Sequence, residues 1–95
     1  MSTSLTILLD KIKLAREAHT EDLYREIELK EGHSISKILN ELTNPDIGYV
    51  CITLDAAKYT STHVRILNKK LRQAGFLTRQ ETPFIIYVWV PSANE

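Results

Sequence analysis

Between Asp55 and Glu81 the chain carries Lys58, Arg65, Lys69, Lys70, Arg72 and Arg79, with His63, and no carboxylate. At about 100° per residue, a helix beginning near Thr62 places Arg65, Lys69 and Arg72 at spacings of four and seven, one cationic stripe beside an apolar stripe of Val64, Leu67 and Leu71. Such a stripe can straddle phosphates, and Arg65, Asn68, Lys69, Lys70, Arg72 and Arg79 are the candidate contacts to an anion or a nucleic acid. It can also be a solvated helix face, since cations are favoured toward the negative end of a helix, or one side of an ion-paired contact with an acidic protein. A second constellation is aromatic: Tyr49, Tyr87 and Trp89 lie in strand-like segments, and on a shared face they would serve as protein-interface anchors or as a platform for bases.

Other chemistries find no support. A zinc site needs closely spaced ligand pairs, whereas His19, His33, Cys51 and His63 stand 14, 18 and 12 residues apart. Cys51 sits between Val50 and Ile52, where a half-buried structural thiol is expected rather than a nucleophile. Asp55 and His63 can be drawn as an acid-base pair, but nothing in the spacing fixes their geometry. Gly32, Gly48 and Gly75 are isolated, so no glycine-rich phosphate loop is present. The expectation is a protein with no catalytic residues, no metal and no cofactor.

The elements that must position these residues follow from hydrophobic period. Leu5, Leu8, Leu9, Ile12, Ala15 and Ala18 recur at helical spacing from a start capped by Thr3 or Ser4, and Leu23, Tyr24 and Ile27 continue after a weak point at His19 and Thr20. One helix bent near His19 and two shorter helices are equally consistent with residues 4 to 31, and Gly32 is expected to end the run. Ile35, Ile38, Leu39 and Leu42 then predict a short third helix before Asn44-Pro45-Asp46. From Tyr49 to Leu54 the period becomes two, with Val50, Ile52 and Leu54 on one face. Ser61 or Thr62 caps the basic helix of residues 62 to 74, with Ala74 in its buried stripe and Gly75 as terminator. Phe76 to Gln80 and Phe84 to Val90 flank Glu81-Thr82-Pro83 as a hairpin. The last strand is apolar on both faces, as a central strand would be, and the helices are expected to cover its Tyr87-Trp89 side. Ser92 to Glu95 reads as a short polar tail.

The segment Ile52-Thr53-Leu54-Asp55-Ala56-Ala57, with Thr60 to Arg65 and Leu71-Arg72-Gln73-Ala74-Gly75-Phe76-Leu77-Thr78-Arg79, is similar to the second half of a winged helix-turn-helix. In that family a short strand leads to a helix, a Ser/Thr-capped recognition helix follows, and a β-hairpin wing closes the unit. The resemblance, confined to residues 50 to 90, implies that Ser61, Thr62, Arg65, Asn68 and Lys69 face the major groove and Arg79 touches backbone. Two departures weigh against it: Asp55 to Ser61 is short for a second helix and turn, and Tyr49 to Leu54 is a stronger strand than the family has there.

With 95 residues, 43% hydrophobic and 25% charged, the chain is one domain, residues 1 to 95, able to bury one modest core. The expected fold is α+β: N-terminal helices on a small three-stranded, mostly antiparallel sheet, in the order helix, helix, helix, strand, helix, strand, strand. Net charge is zero, yet residues 1 to 50 hold six cations against nine carboxylates, whereas residues 51 to 95 hold six against three. An acidic helical part, 1 to 44, thus precedes a basic strand-helix-hairpin part, 45 to 91. A single cysteine excludes an internal disulfide framework, no apolar run approaches the roughly 20 residues of a membrane span, and no secretory leader is recognisable, so a cytoplasmic setting is expected. A pI near 6.8 lies below the range of about 9 and above that is usual for nucleic-acid domains. The leading expectation is therefore a small non-catalytic interaction protein of inhibitor or adaptor type, bound to a protein partner or to copies of itself. The alternative is a small nucleic-acid-binding regulatory module using helix 62 to 74 and the hairpin.

Overall fold

The computed structural model describes residues 2–91; the polar tail expected at 92–95 lies outside them. The elements are α1 (Ser2–Asn40), a 3-10 turn (Glu41–Thr43), β1 (Val50–Thr53), α2 (Ser61–Gln73), β2 (Leu77–Thr82) and β3 (Ile85–Trp89). The strands form one fully antiparallel sheet in the order β1-β3-β2, so β3 is central, as its two apolar faces predict. Val50 pairs with Val88 and Ile52 with Ile86 on one side of β3; Thr78 pairs with Val88 and Arg79 with Tyr87 on the other. Both helices lie on the Val50-Ile52-Ile86-Val88 face. Between them and the sheet sits the core: Ile27, Val50, Ile52, Leu54, Tyr59, Val64, Leu67, Leu71, Ile86 and Val88.

The N-terminal region is one helix rather than two or three. Neither Thr20 nor Ser34 starts a new helix, and Thr3 and Ser4 lie inside α1 instead of capping it. Gly32 does not terminate it: among the described residues left-handed backbone occurs only at Gly75, with φ +107, where the sequence predicts it. The cost of a mid-helix glycine, about 1 kcal/mol, is offset by packing on both sides of it. Ile27 before Gly32, and Ile35, Ile38 and Leu39 after it, form one stripe against the core.

The helix is longer than the body it packs on. Thirty-nine residues rise about 58 Å at 1.5 Å each, which matches the longest molecular extent of 59 Å. The radius of gyration, 16.5 Å, exceeds the roughly 12 Å of a compact 95-residue chain. Residues 4–19 are exposed throughout and form an arm that projects past the sheet and α2. No helix among the described residues is long and apolar enough to cross a membrane.

In α2 the stripe of Val64, Leu67 and Leu71 is buried together with His63 and Ile66, while Ala74 is exposed and caps the C-terminus. The N-cap is Thr60, one residue before the expected Ser61. In place of any helix at 55–60 there is a turn, closed by Lys58 and Tyr59 N–H groups donating to the Asp55 carbonyl and by Ala57 N–H donating to the Asp55 carboxylate.

The two glycines respond in opposite directions to a methyl group. A Cβ on Gly32 meets nothing closer than Glu28 Cγ at 3.5 Å, so Gly32→Ala raises stability by about 0.5–1 kcal/mol. Gly75→Ala lowers it by about 1–2 kcal/mol, because alanine must enter left-handed backbone there. Thermal melts of the two variants check both signs; a Gly32→Ala variant that melts below the parent would mean that the helix does not run through.

Candidate functional site

The basic candidates are not one cluster. Arg72 turns back along its own helix end: its Nε donates to Thr78 Oγ1 at 2.8 Å and its Nη2 to the Thr78 carbonyl at 3.2 Å, so it fastens α2 to β2. Lys70 is ion-paired with Glu21 of α1 and stands over the Tyr24 ring, 5.1 Å from its centroid. Arg79 lies on the opposite face of the sheet, with Nε 2.9 Å from Glu81. Asn68 is half-buried, its Oδ1 enclosed and without a hydrogen-bond partner. Arg65 and Lys69 remain on the exposed side of α2, Arg65 reaching only Thr62 Oγ1 at 3.4 Å. They stand across from the arm and line one groove with Ile12, Arg16, Leu23 and Ile66.

The aromatic candidates do come together. Tyr49 precedes β1, and antiparallel register sets it across from Trp89, with Cys51 across from Tyr87. The Tyr49 and Tyr87 rings meet edge to face at 5.7 Å. Neither helix covers this side of the sheet, contrary to the expectation from helix packing. Tyr49 is 62% exposed, Tyr87 and Trp89 are half-buried, and the Cys51 thiol is exposed rather than tucked into the core. With Arg79 and Glu81 these rings line a shallow depression of about 430 Å³. Alternation explains the exposure: Val50, Ile52 and Leu54 point inward, so Tyr49, Cys51 and Thr53 point outward, and α1 and α2 supply only one layer.

A third cluster escapes sequence reading because its members are 28 and 37 residues apart. Thr60 N–H donates to His63 Nδ1 at 3.1 Å; a backbone amide only donates, so Nδ1 is the acceptor and the ring proton sits on Nε2. That proton is donated to Glu26 Oε2 at 3.2 Å. The Tyr59 hydroxyl donates to Glu31 at 3.2 Å, and its ring meets His63 at 5.4 Å. Together they clamp the start of α2 to the middle of α1. His63 at the third position of a helix capped by Thr60 was the one local signal of this arrangement, and the partner of His63 is Glu26 rather than Asp55. The hydrogen bond from His63 holds the Glu26 carboxyl below its ordinary value, and burial together with the Glu31 charge pushes the Tyr59 phenol above its own. Among the described residues no three His, Cys, Asp or Glu side chains gather as a metal site would need.

No known protein family, curated protein or solved structure matches this chain. Of the winged-helix pattern, the strand, the Thr-capped helix and the hairpin are present in order, while the helix between strand and recognition helix is replaced by the Asp55 turn.

Because folding lowers the Glu26 pKa, its contribution to stability is complete above the unfolded carboxylate value of about 4.3–4.5 and is lost as pH falls through the lower, folded value. Glu26→Gln removes that dependence. Urea midpoints measured from pH 6 down to pH 3 should fall less steeply for Glu26→Gln than for the parent, and parallel curves would show that the His63 bond to Glu26 carries no linkage.

Proposed function

We propose that this protein is a small non-catalytic binding module that acts by occupying a protein partner, as an inhibitor or adaptor does, and that the uncovered sheet face is the contact surface. The observation that carries the reading is the grouping of Tyr49, Tyr87 and Trp89 on a face that no element among the described residues covers. Tyrosine, tryptophan and arginine are the residues that anchor protein interfaces, because a large ring buries much area at a cost of two torsions. A base-stacking surface adds free cations that track the phosphate backbone. Here Arg79 is neutralised by Glu81, which favours a protein over a nucleic acid on this face. Pairing of two such faces in a homo-oligomer is the form of the reading that uses this chain alone. The exposed, unpaired Cys51 supports a reducing compartment and with it a cytoplasmic setting.

The second reading is a nucleic-acid module. Exposed Arg65 and Lys69, with Arg16 of α1 beside them and no carboxylate in the same groove, favour it. Arg72, Lys70 and Arg79 are engaged within the molecule and subtract from it.

Mass measurement in solution, followed by affinity capture from the source lysate with and without nuclease, separates the two. Capture is expected to survive nuclease, to fall at least tenfold in the double variant Tyr87→Ala, Trp89→Ala, and to persist in Arg65→Glu, Lys69→Glu. The reverse pattern, together with a steep loss of binding as salt rises, would select nucleic acid.

A further inference from the structure

We infer that the groove between the projecting arm of α1 and the outer side of α2 is a second docking site, and that its occupant is an acidic amphipathic helix of another protein. Leu5, Leu8, Leu9 and Ile12 are 69%, 53%, 49% and 45% exposed, an apolar stripe that nothing in the described structure covers. At helical spacing the stripe runs from Leu5 through Ile12 to Leu23, about 27 Å, the length of a helix of roughly eighteen residues. Its far end enters a groove of about 600 Å³ floored by Ile12, Leu23 and Ile66 and rimmed by Arg16, Arg65 and Lys69, with no carboxylate among the lining residues. An apolar floor beside a cationic rim matches a helix with aliphatic residues at i, i+3, i+4 and i+7 flanked by Asp or Glu. Phosphates would engage the rim and leave the floor and the arm wet.

Charge decides against a second copy of the arm as the occupant. Over residues 4–19 the arm carries Lys11, Lys13 and Arg16 against Asp10 and Glu17. At about 100° per residue Asp10 and Glu17 fall off the Leu5-Ile12 stripe; Glu17 lines a neighbouring cavity that shares Arg16, Ile66 and Lys69 with the groove, so the arm meets the rim with its surplus of cations only partly offset. A second arm would bring more cations, and the positive end of its own dipole, to Arg16, Arg65 and Lys69. An acidic helix neutralises the rim instead.

The probe is a labelled eighteen-residue peptide with leucines at heptad a and d positions and glutamates beside them, and the control is its lysine-flanked twin; both are titrated into the full chain by fluorescence anisotropy. The glutamate peptide is expected to bind, with affinity falling as salt rises, and the lysine twin to bind at least tenfold more weakly. Arg65→Glu, Lys69→Glu should cost about tenfold or more, and Leu8→Asp, Ile12→Asp should abolish binding while circular dichroism stays unchanged. The premise of a protein partner is shared with the sheet-face reading, yet Tyr87→Ala, Trp89→Ala should leave peptide affinity intact, so either reading can fail alone. Equal binding of the two peptides, or none, overturns the site. So does a duplex oligonucleotide that binds through Arg65 and Lys69 where the glutamate peptide does not, or a dimer that Ile12→Asp returns to monomer.

Discussion

A helix of 39 residues is held to the rest of this molecule by its middle. Ile27 is the one α1 side chain among the described residues that is fully buried, and the groups around it fix direction as well as position. Glu26 receives the His63 ring proton, Glu31 receives the Tyr59 hydroxyl, and Glu21 holds Lys70. Buried area alone would let the two helices roll against each other, since dispersion and hydrophobic contact have little direction. Hydrogen bonds to charged acceptors do not permit that roll without being broken. The overhang follows: with α1 clamped between residues 21 and 31, and α2 only thirteen residues long, sixteen residues of α1 find no surface to pack on.

Single-layer coverage explains the other open surface in the same terms. Three strands make a sheet with two faces, and the chain supplies helices for one. The centre of β3 is apolar on both sides, so Ile86 and Val88 complete the core while Ile85, Tyr87 and Trp89 face out. A soluble domain usually places polar side chains on such a face. Large rings there, braced by an edge-to-face contact and an ion pair, are stable as an ordered surface and retain much area to bury against something else.

How much of this was legible depended on whether the controlling interaction was local. The alternation at Val50, Ile52 and Leu54 named the buried face of β1 because one face of that strand meets the core. Gly75 was readable as a terminator because Phe76 N–H turns back to the Leu71 carbonyl, a local closure that needs left-handed backbone. Gly32 was misread because the residues that override its poor propensity, Ile27, Ile35 and Leu39, act through a tertiary partner the sequence does not display. The same holds for the arm: period showed that Leu5 to Ile12 form an apolar stripe, but not that α2 ends short of it. Spacing puts Arg65, Lys69 and Arg72 on one side of α2, but the engagement of Arg72 with Thr78, which takes it out of any shared stripe, depends on where β2 runs. Glu26 and His63 carry no mutual signal, being joined only by the way the helices cross.

Charge segregation acquires a different meaning once the contacts are known. A surplus of three carboxylates in the first half and of three cations in the second suggests a molecule with two poles. Part of that surplus is met inside the molecule: Glu21 pairs with Lys70 and Glu26 takes a hydrogen bond from His63 where the halves meet, while Glu26 also pairs with Lys30 within α1 and Glu81 with Arg79 inside the hairpin. Within the arm itself the carboxylates are Asp10 and Glu17, and Glu17 lines a cavity beside Lys69 and Lys70, whereas Arg16, Arg65 and Lys69 line a groove that holds no carboxylate. Cations and apolar surface therefore lie side by side in the angle between arm and body, where low-dielectric walls strengthen the pull of charge. Attraction at long range and burial at short range converge on the same place, and a partner must offer both carboxylates and hydrocarbon to benefit from the two together.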